Sequence, residues 1–409
     1  GTIVSGNTAS AGNDIDGSSG SFYVAFSLIE DTTIAGAATL EDLGFNLFGV
    51  DPLLGALQDN GGPTFTHALL RGSPAINFGF NFAGTLYDQR GQPFLRTFGD
   101  ATDIGAFEFQ LPPPEPIVAG AGAGGSGEFV VYNLDGTERA RITAFDPSVT
   151  GGVRVATADV TGDGVYDYIV GAGPGAPSLV KIYDGTTLNQ IAILIAFEIS
   201  FTGGVYVAGG DLDGDGVAEV VVTPDQGGGP VVAVYDGEAL AGGSVVELAR
   251  FLGIQDDTFR GGARVAVGDV TGDGLADIVV AAGFEGGPRV TVWSGAAVVA
   301  GDTGLDATPY ANFFAFEDTL RNGTFVAVGD LDGDGFGDVI VGAGPGGGPR
   351  VVVFDGADLA TGTLTETASF FAGDESLRNG VPVAVADLNG DAELDVVAGV
   401  GEPAAGTTG

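Results

Sequence analysis

The sequence predicts an all-β chain in two parts, and three observations carry that expectation. Glycine supplies 74 of 409 residues with no collagen period, so it marks many tight turns between short elements. A nine-residue, Asp-rich pattern recurs five times between Asp159 and Asp395. Around each copy lie four short runs rich in β-branched and aromatic residues, punctuated by Gly, Pro and Asp-Gly turns, which is the signature of antiparallel meanders.

Residues 1–110 come first and lack the Asp pattern. Thr2-Ile-Val-Ser-Gly-Asn7 and Ser27-Leu-Ile-Glu-Asp31 read as short strands with Asn or Gly corners, compatible with the last coils of a parallel β-helix. Leu111-Pro-Pro-Pro-Glu-Pro116 is a proline-rich linker expected in the extended polyproline II form. The array follows over 117–400, and residues 401–409 read as a flexible tail.

Within the array the pattern starts at Asp159, Asp211, Asp269, Asp330 and Asp387, spaced 52, 58, 61 and 57 residues apart. Before each copy lies a small-residue strand such as Ala263–Gly268, and after it a run such as Ile278–Gly283. A Gly-Pro turn, an alternating strand ending in Asp-Gly (Arg350–Gly356) and an aromatic run (Asn312–Phe316) complete the unit. Four-stranded units repeated this way close as a propeller. Small residues suit its innermost strand, where blades crowd the axis. Helical periodicity is nearly absent, with one short turn expected at Ala357–Ala360.

The strand count leaves a remainder. The array opens at Ile117 with a second strand and closes at Val396–Val400 with another. Five blades form if the C-terminal first strand joins the N-terminal three, leaving Val396–Val400 over; the alternative is an incomplete six-bladed array.

Composition excludes several functions. Asp and Glu number 54 against 14 Lys and Arg, a formal net charge of −40, so neither nucleic acid nor anionic lipid is an expected partner. With no Cys there is no disulfide or thiol chemistry, and with one His, His67, neither a histidine zinc site nor a Ser-His-Asp triad with a nucleophile elbow is expected. His67 reads as a packed structural residue. Trp293 and the Phe residues read mainly as core, with a sugar-binding face as the alternative. The glycine-rich Gly342–Pro349 lacks the Lys-Ser/Thr of a phosphate loop. The longest apolar run, Ile191–Phe197, is far too short to span a membrane. The absence of Met predicts a processed form or a fragment.

The repeated loop has the spacing of an oxygen cage for a hard cation. Side chains at positions 1, 3, 5 and 9 and the carbonyl at position 7 can converge, and glycines at 4 and 6 permit the sharp turns. The first loop offers Asp159, Thr161, Asp163, Val165 and Asp167; the second Asp211, Asp213, Asp215, Val217 and Glu219. The third offers Asp269, Thr271, Asp273, Leu275 and Asp277; the fourth Asp330, Asp332, Asp334, Phe336 and Asp338. The fifth offers Asp387, Asn389, Asp391, Glu393 and Asp395, with Ala392 in place of the second glycine. Calcium, up to five ions, suits such irregular all-oxygen sites. The same residues would also make metal-free Asx-turns that cap hairpins.

These five loops, the turns Gly171-Ala-Gly-Pro-Gly175 and Gly342-Ala-Gly-Pro-Gly346, and the Phe-x-Ala-Phe runs resemble the FG-GAP/VCBS-type calcium-loop repeats of integrin-like β-propellers. Residues 43–108 resemble the terminal region of secreted "choice-of-anchor" parallel β-helix proteins, through Asp51–Thr64, Thr66–Ile76, Asp88-Gln-Arg-Gly91 and Asp103-Ile-Gly-Ala-Phe-Glu108. The resemblances imply a secreted, cell-surface protein without enzymatic activity, its Gly1 inside a β-helix whose earlier coils are missing. The expected function is a non-catalytic calcium-binding structural or adhesion module, with a self-assembling surface fibre or layer subunit as its special case. Its expected partners are further copies, other surface proteins or glycans. A carbohydrate-active secreted protein, glycan-binding or polysaccharide-cleaving, is the alternative.

Overall fold

The computed structural model describes residues 2–7, 15–16, 19–35, 38–58, 60, 62–70, 73–92, 94–97, 101–109, 116–133, 135–303, 308–388 and 393–399. The linker 111–115, Asn389, Asp391, Ala392, Val400 and the tail 401–409 lie outside these residues. The chain divides into two compact units, Gly1–Leu111 and Pro112–Gly409.

The first unit stacks parallel strands. Ile3–Val4 pairs with Leu28–Ile29, which pairs in turn with Leu47–Phe48; Ile15–Asp16 pairs with Ile34–Ala35, and Ser21–Val24 with Thr39–Asp42. An antiparallel hairpin, Leu54–Gln58 with Thr66–Leu69, follows. The core is small: Leu28, Leu69, Ala75 and Ile104 are its fully buried members. Phenylalanine is not confined to it. Phe26 stacks on Phe45 with ring centroids 4.9 Å apart, and Phe45 and Phe82 are each 68% exposed, so the core expectation fails here. His67 is also exposed rather than packed, its Nδ1 2.8 Å from the Gly55 carbonyl across the hairpin.

The second unit is a series of antiparallel sheets. Three strands, Ile117–Gly120, Glu128–Tyr132 and Glu138–Thr143, form the first sheet. Four sheets of four strands follow, opening with Val153–Ala158, Val205–Gly210, Ala263–Gly268 and Thr324–Gly329. Val383–Ala386 and Asp395–Ala398 form the last. Each sheet runs in sequence order, as hairpin-connected meanders must. The strand after each of the first four Asp loops, for example Asp277–Ala282, is buried along its whole length, whereas Asp395–Ala398 after the fifth is only partly buried. Val, Ile and Ala fill it because both of its faces meet neighbouring sheets. The opening strands of all six sheets border a cavity of about 610 Å³, from Ile117–Val118 and Val155–Ala158 through to Val383–Ala386. Trp293 is buried as expected, donating its indole N–H to the Gly253 carbonyl at 3.0 Å.

The strand remainder resolves differently from the five-blade scheme. Val383–Ala386 pairs with Asp395–Ala398, so it does not complete a sheet with the N-terminal three strands, and Val396 is not left over. A hairpin across one short loop closes at much lower entropic cost than a pairing between chain ends. Helical structure is also more frequent than expected. Besides α3, Gly356–Ala360, two further five-residue helices occur: α1, Gly237–Ala241, and α2, Gly295–Val299. They are too short to leave a periodic signal.

A repeated carboxylate loop

Each Asp loop joins the first and second strands of a sheet. Its shape is set by carboxylates that accept backbone N–H groups. In the second loop Asp211 takes Gly214 N–H at 2.7 Å and Gly216 N–H at 3.0 Å, while Asp215 takes Val217 N–H at 2.8 Å. The third loop repeats this with Asp269 taking Gly272, Asp273 and Gly274 at 2.7, 3.2 and 2.8 Å, and Asp273 taking Leu275 at 2.9 Å. The first and fourth follow suit through Asp159 and Asp163, and through Asp330 and Asp334. Gly214 and Gly216 have φ of +83° and +87°, a region L side chains rarely enter, which is why glycine recurs there.

Two triplets converge fully. One ligand oxygen from each of Asp211, Asp213 and Asp215 lies within 4.8 Å of the others, and the same holds for Asp330, Asp332 and Asp334. Either set can hold a metal ion. In the first and third loops position 3 is threonine, and Thr161 Oγ1 and Thr271 Oγ1 are buried without a partner at hydrogen-bonding geometry. The fifth loop is described only at its flanks, where Leu388 N–H donates to Asp395 at 3.0 Å. Asn389 and Asp391 lie outside the described residues.

Position 9 has a different setting from positions 1, 3 and 5. Asp167, Glu219, Asp277 and Asp338 are at most 6% exposed and belong to the second strand. One oxygen of each accepts N–H groups from the start of its own loop: Thr161 at 2.8 Å, Leu212 at 2.8 Å, Val270 and Thr271 at 3.0 and 2.8 Å, and Leu331 at 3.1 Å. In three sheets the other oxygen accepts the N–H of a glycine 18 residues on, Gly185, Gly295 or Gly356. Position 9 therefore clamps the loop to the third-to-fourth strand connection.

That glycine is the second residue of an Asp-Gly or Ser-Gly pair that ends the third strand in each of the four four-stranded sheets, and in three of them a helix follows. The first residue caps a helix: Asp236 accepts Ala239 N–H at 2.8 Å, Ser294 accepts Ala297 N–H at 3.3 Å, and Asp355 accepts Asp358 N–H at 2.8 Å. The glycine itself has no room for a side chain, since a Cβ on Gly295 would lie 2.0 Å from the Ala276 carbonyl oxygen. Sequence reading took the pair as a strand end; its role as cap and contact point needed the fold.

The electrostatics are one-sided. Burial pushes Glu219 up to about 7, opposed by the Leu212 N–H and reinforced by Asp213, Asp215 and Asp211. Burial likewise raises Asp277 and Asp338 to about 6 each. Asp167, Asp269, Asp213 and Asp334 are raised too, again chiefly by burial. In the first four loops no arginine or lysine forms an ion pair with a loop carboxylate among the described residues. Crowded carboxylates without a counter-charge are the setting in which a bound cation relieves most repulsion. All-oxygen donors with no nitrogen or sulfur suit a hard divalent ion.

The FG-GAP-like repeat profile matches residues 211–280 and 330–398, and the FG-GAP repeat profile matches residues 261–300. Each stretch opens at or just before one of the loops described above. Among curated proteins, integrin alpha-V of Gallus gallus is 28% identical over 227 residues. The match covers 49% of this chain and 20% of that protein, so the chain spans about a fifth of the relative's length. Solved structures overlap loosely. A chain of the mitotic checkpoint complex gives a TM-score of 0.41 at 12% identity, covering 69% of this chain and 72% of that one. Rhamnogalacturonan lyase YesW gives 0.33 at 13%, covering 71% and 58%. At those scores neither bears on activity. No helix among the described residues is long and apolar enough to cross a membrane. Residues 211–300 and 330–398 thus match FG-GAP repeats, and they fold as antiparallel sheets with an Asp loop between the first two strands.

Proposed function

We propose that the chain is a non-catalytic, calcium-stabilised extracellular module for adhesion or surface structure. The observation that carries this reading is the loop repeated in register, with convergent carboxylate triplets at Asp211, Asp213, Asp215 and at Asp330, Asp332, Asp334. Positions 1, 3 and 5 would hold the ion with the position-7 carbonyl, and position 9 would complete the site or brace it. Calcium would supply the positive charge that the chain itself does not place there. Loops one and three would substitute a Thr hydroxyl for one carboxylate, and loop five would complete a set of five ions.

The extracellular, adhesive setting draws on the FG-GAP repeats and the similarity to integrin alpha-V. The first unit fits the end of a parallel β-helix, since its parallel pairs advance one rung every 18 to 25 residues, as in Ser21 with Thr39 and Ile3 with Leu28. The second unit fits an incomplete propeller of six sheets. Other surface proteins, glycans or further copies of the chain are the expected partners.

Calorimetric titration with calcium chloride tests the reading. Saturable uptake of several ions per chain, at dissociation constants of about 10⁻⁴–10⁻³ M, is expected for an extracellular module. No uptake at millimolar calcium would sink the calcium assignment. Bond cleavage in a polysaccharide activity screen would overturn the non-catalytic one.

A further inference from the structure

We propose that the carboxylate loops are coupled in series, so that an ion bound in one raises the affinity of its neighbours. The proposal rests on the calcium reading above and adds a regulation that the loops' own ligands do not require.

Two contacts link each of the first three loops to the next, and both recur with the same offset. The first is a hydrogen bond. The position-8 N–H of one loop donates to the position-1 carbonyl of the loop before it: Ala218 to Asp159 at 2.8 Å, Ala276 to Asp211 at 2.8 Å, and Gly337 to Asp269 at 2.5 Å. The second is packing. The position-7 side chain sits on the position-4 glycine of the preceding loop. A Cβ on Gly162 would lie 2.9 Å from Val217 Cγ2, one on Gly214 would lie 2.9 Å from Leu275 Cδ2, and one on Gly272 would lie 2.5 Å from Phe336 Cε1. The series therefore runs unbroken through the first four loops.

The chemistry of that junction makes it a coupling element. Positions 7 and 8 share one peptide unit. Its carbonyl is the backbone ligand the loop offers to its own ion, and its N–H holds the preceding loop at Asp159, Asp211 or Asp269. Those three aspartates are themselves the position-1 ligands of the preceding loops. A cation drawing on the carbonyl polarises the peptide and strengthens its N–H as a donor. Fixing that peptide also fixes the neighbour's first ligand, so the second ion meets a loop whose ordering cost is partly met. Coupling of this kind is reciprocal, and either loop of a pair can be filled first.

The test is a calcium titration of the full chain by calorimetry with a competing chelator, run on the native protein and two variants. The native protein should bind with a Hill coefficient near 2. Asp269→Asn with Asp273→Asn disables the third loop; it should remove one ion and weaken the loops on either side by about 5- to 10-fold. Phe336→Ala keeps every carboxylate; it should leave the ion count unchanged and lower the Hill coefficient. Should the double variant fail to fold at saturating calcium, as read from its melting curve, Phe336→Ala carries the test alone. A native Hill coefficient of 1, or neighbours unaffected in both variants, overturns the coupling while leaving calcium binding intact. No uptake at all overturns the calcium reading itself, and the stoichiometry tells the two failures apart.

Discussion

The two units meet the same electrostatic problem with opposite solutions. At the end of the first unit, Asp88, Asp103 and Glu108 are buried, at 8%, 1% and 0% exposure. Their counter-charges come from the chain. Arg90 Nη2 lies 2.7 Å from Asp88 Oδ2 and its guanidinium stacks between Phe94 and Phe107, 3.8 Å from each ring centroid. Arg96 pairs with Glu108 at 3.1 Å and also donates to the Asp103 and Gly105 carbonyls. Asp103, whose carboxyl is raised by burial, takes the Asn77 and Phe109 N–H groups. Among the described residues, the first four loops of the second unit bring together more carboxylates and pair none with a guanidinium. An internal cation makes a clasp that is always closed. An external one makes a structure that depends on its surroundings.

The sharpest break of this comparison is chelation. Each calcium site at ten times its dissociation constant adds about 1.4 kcal/mol, or about 7 kcal/mol for five sites before any coupling between them is counted. Excess EDTA should therefore lower the melting transition of the second unit by a large margin and leave that of the first in place. Calorimetry resolving the two transitions checks this. Equal shifts, or none, would remove the distinction between the units.

The converse break is Arg90→Ala. It strands the Asp88 carboxylate in a buried site, and removing one partner of a buried pair costs about 3–5 kcal/mol. Only the first unit's transition should fall, by the same amount with and without calcium. A loss that calcium restores would mean the clasp is not self-sufficient.

Acidity separates the units next. In metal-free protein Glu219 sits at about 7 and Asp277 and Asp338 at about 6, all raised above their unfolded values by burial. A raised carboxyl contributes stability that is fully present below its unfolded value, near 4, and lost as pH climbs through the folded one. With chelator present, the second unit should thus be more stable at pH 5 than at pH 7.5, Glu219 alone contributing on the order of 2 kcal/mol over that window. Calcium should reverse the slope, because it binds the ionised carboxylates. A chelated protein that melts higher at pH 7.5 contradicts the assignment.

Much of this was legible in the sequence because repetition is. Five Asp loops at similar spacing announced both the sheets and the site, and the strand order within each sheet followed from hairpin logic. What escaped depended on distant partners. The clamp between Asp277 and Gly295 spans 18 residues, and nothing in the nine-residue pattern points that far. Asp88-Gln-Arg-Gly91 and Asp103–Glu108 stood out as motifs, but their mutual pairing exists only once the chain has folded. The exposed Phe45 and Phe82 went unread because composition does not say which face a ring takes.

The finest contrast lies within the second unit, between loops with Asp and loops with Thr at position 3. Thr161 and Asp213 occupy equivalent positions, and Thr161 Oγ1 is a buried polar atom with no partner at bonding geometry. Thr161→Asp would give the first loop the three-carboxylate set of the second. In chelator this adds a negative charge beside Asp159 and Asp163, at a cost of about 1 kcal/mol for charges some 4 Å apart in a water-like medium. In calcium the added carboxylate is a better ligand for a hard ion than a neutral hydroxyl, and the sign should invert. The variant should therefore melt slightly below the native protein in EDTA and slightly above it in millimolar calcium. The crossing matters more than either shift, because a purely structural Asx-turn at this position would move the melting point the same way in both solutions.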